Sequence, residues 1–292
     1  MAIAFALACA LVYGAADFLG GVAARRVSAV AVVVWSQAVG LAVLLAALPF
    51  LGGAPHRSDL FWGMACGCAG GFAVVLLYRA LAIGTMGVVS PVTAVLAAAM
   101  PVAFGLARGE RPATLAVLGI ACAMLAVVLV SAATPRPTAE DADAPLARRE
   151  QPRRFPPGVP EAIGAGIAFG FLFIGLAQTR AESGLFPMVA TRLTSLGLLL
   201  GGGLLFRQPL RVSRPSFRTI AFAGALDMIA NVLYVIASHS GGALSVVAVV
   251  ASLYPAGTVA LAAIVLHERL ARVQWAGVAI AFAGVACMSL AR

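Results

Sequence analysis

A chain of 292 residues that is 62% hydrophobic and only 11% charged is not an ordinary water-soluble domain, in which about a quarter of residues carry charge. Its +9 formal charge comes from arginine alone, and those arginines lie mostly between apolar runs, as membrane anchors do, rather than in a nucleic-acid-binding patch. A mean hydropathy of +1.02 places the chain in a bilayer.

A helix needs about 20 apolar residues to cross roughly 30 Å of hydrocarbon. Such runs fall at 2–23, 28–50, 60–83, 86–107, 114–133, 161–180, 185–206, 217–238, 243–266 and 273–291. The first lacks the basic flank of a signal peptide and is followed at once by further spans, so it reads as a membrane helix.

That first span contains "VYGAADFLGG", in which Asp17 is the only charged side chain before Arg25. Eight residues separate the two, about 12 Å along a helix, which puts the carboxylate near the bilayer centre. A charge there costs on the order of 3 kcal/mol unless it faces protein or water. Ala10, Tyr13, Gly14, Gly20, Gly21 and Ala24 lie at three- or four-residue steps from it, so Asp17 shares the small, packed face, opposite Phe5, Val12, Leu19 and Val22. It is either an ion pair or carbonyl contact that fixes packing, or a substrate or proton site. Intramembrane acids favour the second.

In the third span Gly63, Gly67 and Gly71 form a small-residue packing stripe, and Arg79 near its end is placed to snorkel to the headgroups. Ser90-Pro91 with Thr93, and Ser252 with Tyr254-Pro255, interrupt the fourth and ninth spans; proline there frees carbonyls for a cavity or simply bends the helix, and the bend is the favoured reading. The five cysteines (Cys9, Cys66, Cys68, Cys122 and Cys287) sit in apolar stretches without metal-ligand spacing and read as small hydrophobes. Neither metal nor cofactor is expected.

The polar segment Thr134–Pro160, with seven prolines and mixed charge, reads as a disordered or extended linker and not a domain. It separates residues 1–133 from 161–292, and the halves repeat one another. A shift of 158 lays Gly84 on Gly242, Glu110-Arg111 on Glu268-Arg269 and Gly119 on Gly277; a shift of 156 lays Tyr78 on Tyr234 and Gly14 on Gly170. Five spans per copy is odd, so the second copy enters the membrane upside down. The predicted fold is all-α, ten transmembrane helices as two inverted five-helix repeats around a central cavity, as in many secondary transporters.

The eighth span places Asp227, Asn231, Tyr234 and Ser238 at steps of four, three and four, with Gly224 on the same face. Such a stripe lines a wet cavity or forms a hydrogen-bonded helix seam. Arg192 lies about 10 Å inside the seventh span. Each half therefore holds one acid and one base, which either pair (Asp17 with Arg79, Asp227 with Arg192) or hold the two ends of a zwitterion. Loops after odd-numbered spans hold thirteen arginines against five on the opposite side, an excess that puts the linker in the cytoplasm and both termini outside.

These features resemble EamA-type transporters of the drug/metabolite transporter superfamily: ten spans in a duplicated set of five, "YGAADF" in the first helix, "YRAL" near the end of the third, and Glu after the fourth and ninth. Tyr13-Gly14 stands where the family often has Trp-Gly. The proline thirteen residues before the Glu is present as Pro255 in the second half, whereas Ala97 takes that place in the first, with Pro101 nearby. The resemblance implies export of amino acids, other metabolites or drugs through a central cavity. Distant four-span relatives use a first-helix acid for proton coupling, and Asp17 is similar in kind. Glu110 and Glu268 match the family's helix-junction Glu, at a membrane edge suited to capping.

The sequence thus predicts a secondary active exporter of small organic metabolites in a bacterial inner membrane. Its expected partners are a small-molecule substrate, lipid and protons, with no nucleic acid, and it is a monomer or homodimer. Candidate substrate or coupling residues are Tyr13, Asp17, Arg79, Arg192, Asp227, Asn231 and Tyr234. An uncoupled facilitator is the alternative. An intramembrane enzyme is disfavoured, since no nucleophile turn or zinc cluster is present. Without lysine there is no ATP-binding phosphate loop.

Overall fold

A computed structural model describes residues 1–51, 53–84, 86–131, 157–205, 207, 209–241, 243–265 and 272–290. Among the described residues all regular secondary structure is helical: α1 (Ala2–Ala24), α2 (Ala29–Leu51), α3 (Arg57–Ile83), α4 (Met86–Ala107), α5 (Thr114–Ser131), α6 (Val159–Ala177), α7 (Phe186–Leu205), α8 (Arg214–His239), α9 (Leu244–Ala251), α10 (Tyr254–Val265) and α11 (Arg272–Leu290). A 3-10 turn, Ala181–Ser183, precedes α7. Among the described residues seven helices are long and apolar enough to span a membrane: α1 to α4 and α6 to α8. The apolar stretches Thr114–Ala126, Leu244–Thr258 and Trp275–Gly284 are shorter. Most of the expected linker, together with Glu268 and Arg269, lies outside the described residues.

Helix boundaries depart from the predicted spans where proline is involved. Helices α6 and α8 begin at Val159 and Arg214, ahead of the expected 161 and 217, with Pro160 and Pro215 in their first turns. Proline belongs there, because the first helical N–H groups have no intrahelical partner to lose. The two predicted bends resolve differently. Pro91 leaves α4 continuous, whereas the ninth span breaks at Ser252-Leu253, just before Tyr254-Pro255, into α9 and α10. Ser252 Oγ donates to the Val249 carbonyl at 2.8 Å, and the Leu253 and Ala256 N–H groups bond three residues back, tightening the chain through the break.

Between helices in lipid, close approach and hydrogen bonds replace the hydrophobic effect as the source of cohesion. The stripe Gly63, Gly67, Gly71 packs on α7: a side chain at Gly63 would run into the Pro187 carbonyl, one at Gly67 into the Thr191 carbonyl at 2.5 Å, and one at Gly71 into Ser195 at 3.2 Å. Gly224 of α8 meets the backbone of Ser36 on α2 in the same manner. Packing partners come in exchanged pairs. Helix α1 packs on α8 and α6 on α3; α3 packs on α7 and α8 on α2; α4 packs on α6 and the α9–α10 pair on α1. The remaining large contacts join α2 to α7, α4 to α9 and α10, and α5 to α11.

The four connections α2–α3, α4–α5, α6–α7 and α8–α9 are tied together at one end of the bundle. Asp59 accepts from Ser183 Oγ at 2.6 Å and from the Arg180 N–H at 3.1 Å. Arg108 donates to Gln178 at 3.2 Å, and His239 Nε2 bonds the Thr179 carbonyl at 2.7 Å. A carbonyl only accepts, so that imidazole nitrogen carries its proton. Glu110 accepts from the backbone N–H groups of Leu244 at 2.9 Å and Ser245 at 3.2 Å, capping α9 from across the bundle.

Candidate functional site

Helix α1 buries the face that its small residues predict: Ala10, Tyr13, Gly14, Asp17, Gly20, Gly21 and Ala24 are all buried, while Leu11 is exposed. Gly20 is required there because the Tyr78 phenol ring of α3 lies where its side chain would be. Tyr78 and Asp17 therefore reach the same space from two helices.

That space is a cavity lined by Tyr13, Asp17, Tyr78, Phe169, Phe173, Asp227 and Tyr254. A second cavity shares Tyr13, Phe169 and Asp227 with it, and adds Gln37, Thr191, Arg192, Ser195 and Asn231. Each offers a volume of about 20 Å³, room for a single water molecule. Aromatic side chains form much of the wall. Tyr13 lies with its ring centre 6.2 Å from Phe173 and 6.3 Å from Tyr254, and Tyr254 Oη donates to the Ser90 carbonyl at 3.3 Å. The Tyr13 hydroxyl is buried with no partner among the described residues, so it has a hydrogen bond to give or accept at the cavity.

The two acids are treated differently. Asp227 accepts from an Arg192 terminal nitrogen at 2.5 Å, and the other terminal nitrogen of Arg192 donates to Gln37 Oε1 on α2. The pair is deep, with side-chain exposures of 6% for Arg192 and 18% for Asp227. Asp17 is buried yet makes no hydrogen bond or ion pair among the described residues, where Arg192 is the only cation lining either cavity. Of the two carboxylates, only Asp227 is engaged by that guanidinium among the described residues.

Of the sequence-predicted residues, Tyr13, Asp17, Arg192, Asp227 and Asn231 converge on these cavities. Arg79 does not. Its Nε lies 3.5 Å from Glu161 and its side chain is 66% exposed, so an Asp17–Arg79 pair is absent. Successive helical residues point about 100° apart, and with Tyr78 turned inward its neighbour faces out. The α8 stripe divides as well. Asn231 donates back to the Asp227 carbonyl at 2.7 Å beside the cavity, whereas Tyr234 donates to the Phe173 carbonyl of α6 at 3.2 Å, in a seam outside both cavities. Ser238 donates to the Tyr234 carbonyl within its own helix. Sequence reasoning missed Gln37, although Ser36-Gln37 is the only polar pair in an otherwise apolar α2. It also missed Tyr78 as a wall residue, and Phe169 and Phe173, which carry no signal distinguishing them from lipid-facing aromatics.

Among the described residues no cluster of His, Cys, Asp and Glu has the grouping to hold a metal ion. No curated protein matches the chain. A crystal structure of a protein 17% identical in sequence superposes with a TM-score of 0.73, covering 100% of this chain and 97% of that one, which shows a shared fold. A family model of transporters rather than enzymes, the EamA-like transporter family, matches residues 1–132 and 157–290, on either side of the proline-rich segment. The chain belongs to the EamA-like transporter family of the drug/metabolite transporter superfamily, and is an integral multi-pass membrane protein that transports small substrates.

Proposed function

We propose that the protein is a secondary active exporter of small organic metabolites in a bacterial inner membrane, working by alternating access, with Asp17 as the site where a proton and a cationic or zwitterionic substrate compete. The observation that carries this reading is the charge imbalance in the cavity: Arg192 neutralises Asp227 and leaves Asp17 without a partner among the described residues. An unpaired carboxylate inside a membrane protein is costly, and a bound proton or cation removes that cost. The same exchange couples the two ligands, because each displaces the other.

The cavity's size supports alternating access. A space with room for one water holds no metabolite, so the helices around it must part before substrate enters. The reading takes the ten predicted spans as two inverted halves that rock against each other. The exchanged packing pairs support it, with α1 to α5 corresponding to α6, α7, α8, the α9–α10 pair and α11. So does the register at the site: Tyr13 and Asp17 of α1 face Phe169 and Phe173 of α6, the residues 156 positions further along the chain. At that pair of related positions only one half supplies a charge. The tied end of the bundle, with Asp59, Glu110 and His239, is then the closed side, and its hydrogen bonds break when access switches.

The test is efflux from proteoliposomes loaded with a mixed amino-acid and metabolite extract, with and without a pH gradient, for the unaltered protein and for Asp17→Asn. The gradient should accelerate efflux only in the unaltered protein. Gradient-driven efflux that survives Asp17→Asn would remove the coupling role, and efflux indifferent to the gradient in both would favour a facilitator.

A further inference from the structure

An open groove of about 1290 Å³ lies where the chain enters α8, between Trp35 of α2 and the segment Leu210–Thr219. Arg211, Arg214 and Arg218 line it together with Trp35, Phe217 and Thr219, and all three arginines are exposed. Nothing nearby in the chain cancels their charge. No Asp or Glu occurs between Glu182 and Asp227 or anywhere in α2, and among the described residues no ion pair engages any of the three. The first turn of α8 adds to the field: Ser213 makes no side-chain bond to a helix N–H, its hydroxyl donating instead to Ser216 Oγ at 3.1 Å. The positive end of a 26-residue helix dipole therefore opens toward the same place.

The groove also has a depth in the membrane. Trp35 donates its indole N–H to the Leu210 carbonyl at 3.0 Å and meets Phe217 edge-on, with ring centres 5.5 Å apart. An indole with one wet and one apolar side sits at the headgroup layer of a bilayer. Below Arg214 and Arg218 the same stripe of α8 continues as Phe222 and Ile229, both exposed and apolar. Cations above and bare hydrocarbon below, in one line, match a phosphate headgroup with its acyl chains.

We propose that this groove binds the phosphate headgroup of an anionic phospholipid, with the lipid's chains lying along Phe222 and Ile229. The site is built from α2 on one side and the α7–α8 connection on the other. It therefore clamps the α2–α8 seam, which also carries Gln37 and Asp227. Binding here does not depend on what the central cavity transports.

The experiment is native mass spectrometry and thermal unfolding of the full chain in detergent, titrated separately with dioctanoyl phosphatidylglycerol, dioctanoyl phosphatidylcholine and inorganic phosphate. The variants are R211Q/R214Q/R218Q, each single substitution, and R25Q/R26Q as a control that removes arginines from a neighbouring connection outside the groove. One phosphatidylglycerol should be retained and should stabilise the unaltered protein and the control. Each single substitution should weaken binding about fivefold and the triple roughly 100-fold, from the usual worth of one cation at a charged headgroup. The singles keep the measurement interpretable if the triple fails to fold. Equal binding of phosphatidylcholine, equal loss in the control, or inorganic phosphate binding as tightly as the lipid would each overturn the proposal.

Discussion

The contrast between the two buried acids makes the sharpest test of the site's electrostatics. Removing Asp227 leaves the Arg192 guanidinium, 6% exposed, with Gln37 as its remaining side-chain partner. Breaking a buried ion pair from one side typically costs about 3–5 kcal/mol, since the surviving charge stays desolvated. Asp227→Ala and Arg192→Ala should each lose an amount of that order in equilibrium unfolding in mixed micelles. The double variant should lose far less than their sum, because it leaves no orphan charge. Asp17→Ala is the comparison. It deletes an acid of the same size from the same cavity but breaks no pair, so stability should be unchanged or raised. Additivity of the Asp227 and Arg192 losses within about 0.5 kcal/mol, or an Asp17→Ala loss as large as that of Asp227→Ala, would refute the charge assignment.

Other outcomes follow from single contacts. Gly63→Ala places a methyl against the fixed Pro187 carbonyl and should destabilise the α3–α7 seam by about 1–3 kcal/mol, whereas Gly197→Ala, which meets open space, should be neutral or gain slightly; paired thermal unfolding curves decide it. Glu110→Ala removes the acceptor for two N–H groups and should cost about 1–2 kcal/mol, with faster amide exchange confined to the start of α9. Asp59→Ala strips Ser58 Oγ, Ser183 Oγ and the Arg180 N–H of their shared acceptor, and should raise proteolytic nicking at Ala181–Ser183. No change in nicking would mean that the turn is held by other contacts.

Much of the fold is legible in the order of residues because the bilayer is a demanding solvent. Each backbone polar group must be satisfied inside its own segment, so apolar length alone announces a helix. Asp17 and the α8 acid are legible for a related reason: a carboxylate is affordable at membrane depth only on a face turned to protein or water, and the small residues around Asp17 show which face that is. The proline positions were only half informative. A proline marks a missing N–H, and whether the helix continues past it, as α4 does at Pro91, or breaks, as at Ser252-Leu253, depends on what neighbours offer the freed groups.

What the sequence by itself determined is therefore the class of protein, its apolar segments and the presence of buried charge. The tertiary structure alone decided how that charge is shared. Asp227 with Arg192, and Arg79 with Glu161, join residues 35 and 82 positions apart, and pairing at such separations depends on helix rotation about the axis. One residue's step, from Tyr78 to Arg79, turns a wall of the cavity into a surface cation. Spacing along the chain carries no record of which helices stand opposite one another, so Asp17's lack of a partner among the described residues emerges only when α1, α3, α6 and α8 are brought together around it.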